Sequence, residues 1–168
     1  MVTRRHLLST SIAIAAAGLL PRQVLGVESL PAATRDALAA SGLVYLTPIK
    51  SDGQESTCHA EIWFAFDGTD LLLCTAHDTW RAQALAQGLN KARLWVGEFG
   101  TWTKSEGRFR EAPELMVTGT VVSDPAGIEH GLEQLGAKYR VQWAVWGPRF
   151  RDGLADGSRV MLRYTPSA

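Results

Sequence analysis

The segment STCHAEIWFAF, residues 56–66, alternates between two sets of side chains. One set, mostly apolar, consists of Cys58, Ala60, Ile62, Phe64 and Phe66; the other, partly polar, consists of His59, Glu61 and Trp63. Alternation with a period of two is typical of a β-strand that buries one face. The turn residues Asp67-Gly68-Thr69 follow, and the apolar run DLLLCTA comes next. The pattern therefore predicts a β-hairpin.

The rest of the chain predicts short strands separated by small helices. Further strands are expected in LVYLTPIKSDGQ, KARLWVGEF, LMVTGTVVS and SRVMLRYTP. Helices are expected at 30–41, at about 80–87 with Asp78 or Thr79 as N-cap, and at 127–139, whereas the aromatic segment RVQWAVWGPRF is expected to be irregular. The expected fold is mostly β with short helices (α+β), built around a six-stranded antiparallel barrel rather than a doubly wound sheet.

The beginning of the chain has the features of an export signal. TRRHLLS at 3–9 contains paired arginines, the apolar run SIAIAAAGLL occupies 11–20, and PRQVLG follows. The apolar run is about half as long as the ~20 residues that span a membrane. The pattern predicts a twin-arginine signal peptide at 1–26, a single domain at 27–168, and a periplasmic or other extracytoplasmic location reached through the twin-arginine translocation machinery. A short uncleaved membrane-associated helix is the alternative.

Charge and composition exclude several kinds of function. Removing residues 1–26 takes away Arg4, Arg5 and Arg22 and no acidic residue, which leaves 14 basic side chains against 17 acidic ones. A mature chain with this balance is not expected to bind nucleic acid. The mature chain has only His59, His77 and His130 and no HExxH motif, so no metal site is expected. It also contains no GxSxG nucleophile elbow and no GxxxxGK[ST] phosphate-binding loop. Cys58 and Cys74 are expected to be small core residues.

The stretch LLLCTAHDTWRAQAL, residues 71–85, combines two hydroxyl groups with a cation. Thr75 ends a predicted strand, and Thr79 and Arg81 begin the helix that follows. Hydroxyl groups and a guanidinium beside the free N–H groups of a helix start would bind an anion such as a phosphate. In the alternative interpretation, Thr79 only caps the helix and Arg81 lies on the surface.

Residues 43–95, together with the closing KYRVQW and VMLRYTP, resemble the FMN-binding split-barrel superfamily, of which pyridoxamine 5'-phosphate oxidase is the best-known member. The resemblance implies that Thr75, Thr79 and Arg81 hold the phosphate of FMN or a deazaflavin. His59 stands where the family often has an arginine that supports the cofactor. The resemblance also implies a homodimer with the flavin ring between its subunits, near the face bearing His59, Glu61 and Trp63.

The same resemblance suggests that Trp63, Trp143 or Trp146 packs near the ring, and it implies no catalytic acid or base. Two functions follow. One is an exported flavin- or deazaflavin-dependent oxidoreductase that acts on a small molecule and uses a separate electron donor. The other is a binding protein without turnover that holds flavin or haem, for which His77 would be the axial ligand.

Overall fold

The structure, a computed structural model, describes residues 30–167. The helices of this part are α1 (Ala32–Ala40), α2 (Trp80–Ala86), α3 (Pro125–Lys138) and α4 (Arg140–Ala155). The strands are β1 (Val44–Pro48), β2 (Ala60–Ile62), β3 (Ala65–Phe66), β4 (Leu71–Ala76), β5 (Lys91–Val96), β6 (Glu114–Val122) and β7 (Arg159–Pro166). None of the helices in this part is long and apolar enough to cross a membrane. The predicted signal peptide at 1–26 lies outside the described residues.

All the strands belong to one antiparallel sheet in the order β2-β1-β5-β6-β7-β4-β3. Its two edge strands, β2 and β3, are consecutive in the chain and are separated only by Trp63 and Phe64. The sheet must therefore curl until its edges nearly meet. This half-barrel with surrounding helices confirms the predicted fold class.

The strand count differs from the prediction because the alternating segment forms two strands rather than one. Within β2, Glu61 pairs with Tyr45 of β1 at one edge of the sheet. Within β3, Ala65 pairs with Leu72 of β4 at the other edge. Alternation specifies which side chains share a face, but it carries no information on the partner strand. The segment therefore crosses from one sheet edge to the other at Trp63-Phe64.

The core is divided between the inside of the barrel and the layer beneath the last two helices. Phe64 is fully buried inside the barrel, together with Leu73, Leu94 and Tyr164. Its neighbour Trp63 packs instead against the second cluster, which α3 and α4 cover. The opposite orientation of these two side chains agrees with the predicted alternation. Cys74 is buried as expected, whereas Cys58 is only half-buried, and neither forms a disulfide.

The prediction of an irregular segment at 140–150 is wrong, because these residues form the first part of α4. Pro148 lies inside the helix, where it removes one backbone hydrogen bond. Tertiary packing offsets this cost. Phe150 is buried in the second cluster, and the Trp143 ring lies so close to Gly136 of α3 and Gly147 of α4 that a Cβ at either position would approach within 3 Å of it.

Candidate functional site

The turn between β4 and α2 brings two of the predicted site residues together. The hydroxyl oxygens of Thr75 and Thr79 lie 3.4 Å apart. The Thr79 hydroxyl donates its proton to the carbonyl of Ala76 at 2.8 Å. The Thr75 hydroxyl can therefore donate its own proton either to Thr79 or to a bound ligand. Thr75 is 4% exposed and pairs with Val160 of β7, which holds its hydroxyl in place. We call residues 75–81 the β4–α2 turn.

The guanidinium of Arg81 is a cation without an anionic partner in contact. Its Nε atom is buried and has no hydrogen-bond partner, and the side chain forms no salt bridge within residues 30–167. Burial lowers the pKa of Arg81, while interactions with Cys58, Tyr164 and Glu61 act in the opposite direction. Arginine nevertheless stays protonated in proteins. A buried cation is costly unless it is paired, so this arrangement fits an anion supplied from outside the described chain.

The structure also disfavours the simpler interpretation of the turn. Thr79 stands at the N-cap position of α2, but its side chain accepts no capping hydrogen bond because the hydroxyl is directed toward the carbonyl of Ala76. Arg81 is half-buried, and its Nε atom is withdrawn from solvent. Neither residue is explained by helix capping or surface exposure alone.

A cavity of about 460 Å³ adjoins the first residue of α2. We call it the Trp80 cavity; it is lined by Lys50, Ser56, Thr57, Cys58 and Trp80. Lys50 brings a second cation to this region, although it also pairs with Asp52 at 3.2 Å. The sequence analysis missed Lys50 because it lies about 30 residues before Arg81. Only the pairing of strands brings such distant segments together.

His59 lies apart from the β4–α2 turn. Its Nδ1 atom is 2.6 Å from the hydroxyl of Thr47, and its ring centroid is 5.5 Å from that of Trp102. Burial and then the charge of Arg110 lower the pKa of His59, which favours the neutral imidazole. His59 opens onto a separate cavity of about 290 Å³ that Trp102, Phe109 and Arg110 also line. The predicted contact between His59 and a cofactor stays a prediction.

Trp63 lies in a third place, beneath α4. Its ring stacks on Tyr139 with centroids 4.5 Å apart and a 9° interplanar angle. It lines a cavity of about 330 Å³, which we call the α4 cavity. The lining residues are Leu43, Glu61, Ile62, Trp63, Cys74, Trp146, Phe150 and Arg159. Of the other predicted ring partners, Trp146 lines this cavity too, whereas Trp143 packs edge-on against Phe150 at 5.7 Å.

His77 is exposed in the β4–α2 turn. Its backbone N–H donates to the carbonyl of Ser158 at 2.9 Å, and its own carbonyl accepts from the side chain of Gln83 at 2.9 Å. The backbone is therefore anchored while the imidazole remains accessible. Within residues 30–167, no three histidine, cysteine or acidic side chains are grouped closely enough to hold a metal ion.

The sequence matches no protein-family model and no curated protein. Solved structures do match. The haem storage protein HutZ of Vibrio cholerae superposes with a TM-score of 0.55 at 12% identity, over 80% of this chain and 88% of HutZ. The fold is a split β-barrel. A pyridoxamine 5'-phosphate oxidase-like protein of Listeria innocua matches this barrel with a TM-score of 0.52 at 13% identity, over 79% of this chain and 90% of its own.

A third solved structure has a similar fold. It is a 5-nitroimidazole antibiotic resistance-like protein of Bacteroides thetaiotaomicron, with a TM-score of 0.55 at 9% identity over 79% of this chain and 77% of its own. At such identities the similarity establishes the fold alone. The function of a fold depends on the side chains that its site carries.

Proposed function

We propose that this split barrel is an exported oxidoreductase that binds a flavin, FMN or a deazaflavin, and acts on a small molecule. Thr75, Thr79 and Arg81 would hold the cofactor phosphate. The bound flavin would supply the redox chemistry, while the protein orients the ring and sets its electrostatic surroundings. The match to a pyridoxamine 5'-phosphate oxidase-like barrel supports a flavin-type ligand.

The observation that carries this proposal is the buried Nε atom of Arg81, which lacks a hydrogen-bond partner. A phosphate would satisfy that donor through a charge-assisted hydrogen bond. It would also accept from the hydroxyl of Thr75, whose only hydrogen-bonding neighbour among residues 30–167 is Thr79. A phosphate bound in the β4–α2 turn would thereby neutralise the cation and use both hydroxyl residues.

A second candidate function is haem or flavin binding without turnover. The exposed imidazole of His77, in the same turn as Arg81, is available as an axial ligand. The carboxylates of haem are also anions that Arg81 would bind. The similarity to the haem storage protein HutZ favours keeping this alternative.

Assembly and location are part of the same proposal. A homodimer would enclose the flavin ring between two copies of the face that carries His59, Glu61 and Trp63. Export by the twin-arginine route, which carries folded proteins, would allow cofactor insertion before translocation. The protein would then act in the periplasm or another extracytoplasmic compartment with a small electron donor.

The test is the absorbance spectrum of the full chain purified from a host with twin-arginine export. The comparison includes Arg81→Ala and a control, Arg140→Ala, which removes an exposed arginine. We expect flavin bands in the wild type and in the control and their loss in Arg81→Ala, with circular dichroism unchanged. Substrate reduction by the loaded protein would separate the oxidoreductase from the binding protein.

Other spectra would redirect the assignment. A haem band lost in a His77→Ala variant would favour the second candidate. Flavin bands that persist in Arg81→Ala would remove the β4–α2 turn as the phosphate site. Mass spectrometry of the released cofactor would distinguish FMN from a deazaflavin.

A further inference from the structure

The α4 cavity is separate from the β4–α2 turn. Cys74, which lines the cavity, and Thr75, which lies in the turn, are consecutive residues of β4. Consecutive side chains of a strand point to opposite faces of the sheet. The side chains of Cys74 and Thr75 therefore lie on opposite sides of the barrel wall, although Glu61, which also lines the cavity, interacts electrostatically with Arg81.

Arg159 places a cation in this cavity. Within residues 30–167 its guanidinium forms no salt bridge with a carboxylate. Its polar neighbour is the thiol of Cys74, and burial raises the pKa of that thiol to about 11. The thiol is therefore neutral at physiological pH and leaves the charge of Arg159 uncompensated.

The packing of α4 holds Arg159 in position. The guanidinium carbon lies 4.9 Å from the centroid of the Phe150 ring. A Cβ at Gly153 would lie 2.8 Å from both Cγ and Cδ of Arg159, so the helix backbone rests directly against the arginine side chain. Because the aliphatic part of Arg159 is already immobilised, the side chain loses little conformational entropy when a ligand binds, which favours affinity.

Aromatic rings form the adjoining walls. Trp63 and Trp146 meet edge-to-face with centroids 6.0 Å apart, and Phe150 lies 6.5 Å from Trp63. Planar ligands pack well against such rings. The volume of about 330 Å³ stands at the lower end of the range for ligand cavities and suits one or two rings.

Glu61 adds a hydrogen-bond acceptor to the lining. Its Oε2 atom accepts from the backbone N–H of Trp102 at 2.9 Å, which fixes the carboxylate. No described residue donates to the other oxygen, Oε1. Oε1 is therefore available to a donor group on a ligand in the cavity.

We propose that the α4 cavity binds a small aromatic carboxylate that carries a hydrogen-bond donor away from its carboxyl group. The carboxylate pairs with Arg159, the ring packs among Trp63, Trp146 and Phe150, and the donor meets Glu61. The pairing of a carboxylate with Arg159 needs no cofactor, although a flavin ring placed at Glu61 and Trp63, as proposed above, would border the same cavity. If that cofactor is present, the carboxylate becomes a candidate substrate.

Calorimetric titration of the full chain with 4-aminobenzoate tests this site, with benzoate and 4-aminobenzamide as comparison ligands. We expect saturable binding of 4-aminobenzoate, weaker binding of benzoate, and the weakest binding of the amide. Arg159→Gln should weaken 4-aminobenzoate binding at least about tenfold, because it removes a charge-assisted pair. Arg140→Gln, which removes an exposed arginine from α4, should change the affinity less than about twofold.

Further variants keep the test decisive. Glu61→Leu, which removes the acceptor, should abolish the preference for 4-aminobenzoate over benzoate. This comparison can still be measured if Arg159→Gln does not fold. Arg81→Ala should bind 4-aminobenzoate as the wild type does, even when its flavin is lost. Absence of saturable binding, or equal binding of carboxylate and amide, would each overturn the site.

Discussion

The hydroxyl of Tyr139 accepts a hydrogen bond from the backbone N–H of Phe64 at 2.9 Å. It also donates to the carbonyl of Gly42 at 2.7 Å. Phe64 belongs to the two-residue break between the edge strands, and Tyr139 lies between α3 and α4. One phenol therefore ties the helical layer to the point where the sheet nearly closes.

Tyr139→Phe should lower the free energy of unfolding by roughly 1–3 kcal/mol. The substitution keeps the stack on Trp63 but leaves the buried N–H of Phe64 without a partner. Urea unfolding followed by tryptophan fluorescence measures the change. Tyr164→Phe is the control, because the hydroxyl of Tyr164 has no hydrogen-bond partner among residues 30–167. Equal stability of the two variants would contradict the structural role of Tyr139.

The buried ammonium of Lys138 should make stability depend on pH. Its Nζ atom is buried without a hydrogen-bond partner and lies 3.3 Å from the centroid of the Phe64 ring. Burial lowers the pKa of Lys138 to about 8, although Glu98 acts in the opposite direction. Above pH 8 the folded chain has released a proton that the unfolded chain still holds. Unfolding then takes up a proton, so the contribution of Lys138 to the free energy of unfolding should rise as the pH increases from 8 toward 10. Cys74, whose pKa burial raises to about 11, contributes in the opposite direction above its ordinary pKa.

Lys138→Met removes this titration. We expect the variant to be more stable than the wild type at pH 7, where the wild type buries a charged ammonium, and this advantage to shrink as the pH rises to 9.5. Urea unfolding at several pH values measures both effects. Lys104→Met, at an exposed position, should keep the wild-type profile. A steep rise that survives in Lys138→Met would assign the pH dependence to another group.

Thr75→Val should weaken binding of added FMN by about tenfold or more while leaving the fold intact. Valine has nearly the shape of threonine and suits a strand, but it lacks the hydroxyl that would donate to the phosphate. Flavin fluorescence titration gives the dissociation constant. Thr120→Val on β6 is a matched control at an exposed strand position. An unchanged dissociation constant in Thr75→Val would show that the phosphate lies elsewhere.

Local patterns predicted much of the chain, and their failures share a cause. The alternation at 56–66 placed Phe64 and Trp63 on opposite faces, and the turn residues after Phe66 indicated the hairpin between β3 and β4. The helical state of α4 was missed because Pro148 and the glycines of that segment are poor helix formers. Packing of Trp143 and Phe150 against α3 and β7 outweighs that local preference.

By itself, the sequence determined the fold class, most of the strands and helices, and the grouping of Thr75 with Thr79, because neighbours along a chain obey local geometry. Only the tertiary structure decided that residues 60–66 join both edges of the sheet. It also placed Arg81 near the start of α2, His59 at the cavity lined by Trp102, and Trp63 beneath α4. Arg159 lines the same cavity as Trp63. These relationships depend on sheet curvature and on pairing between distant segments, which no local pattern encodes.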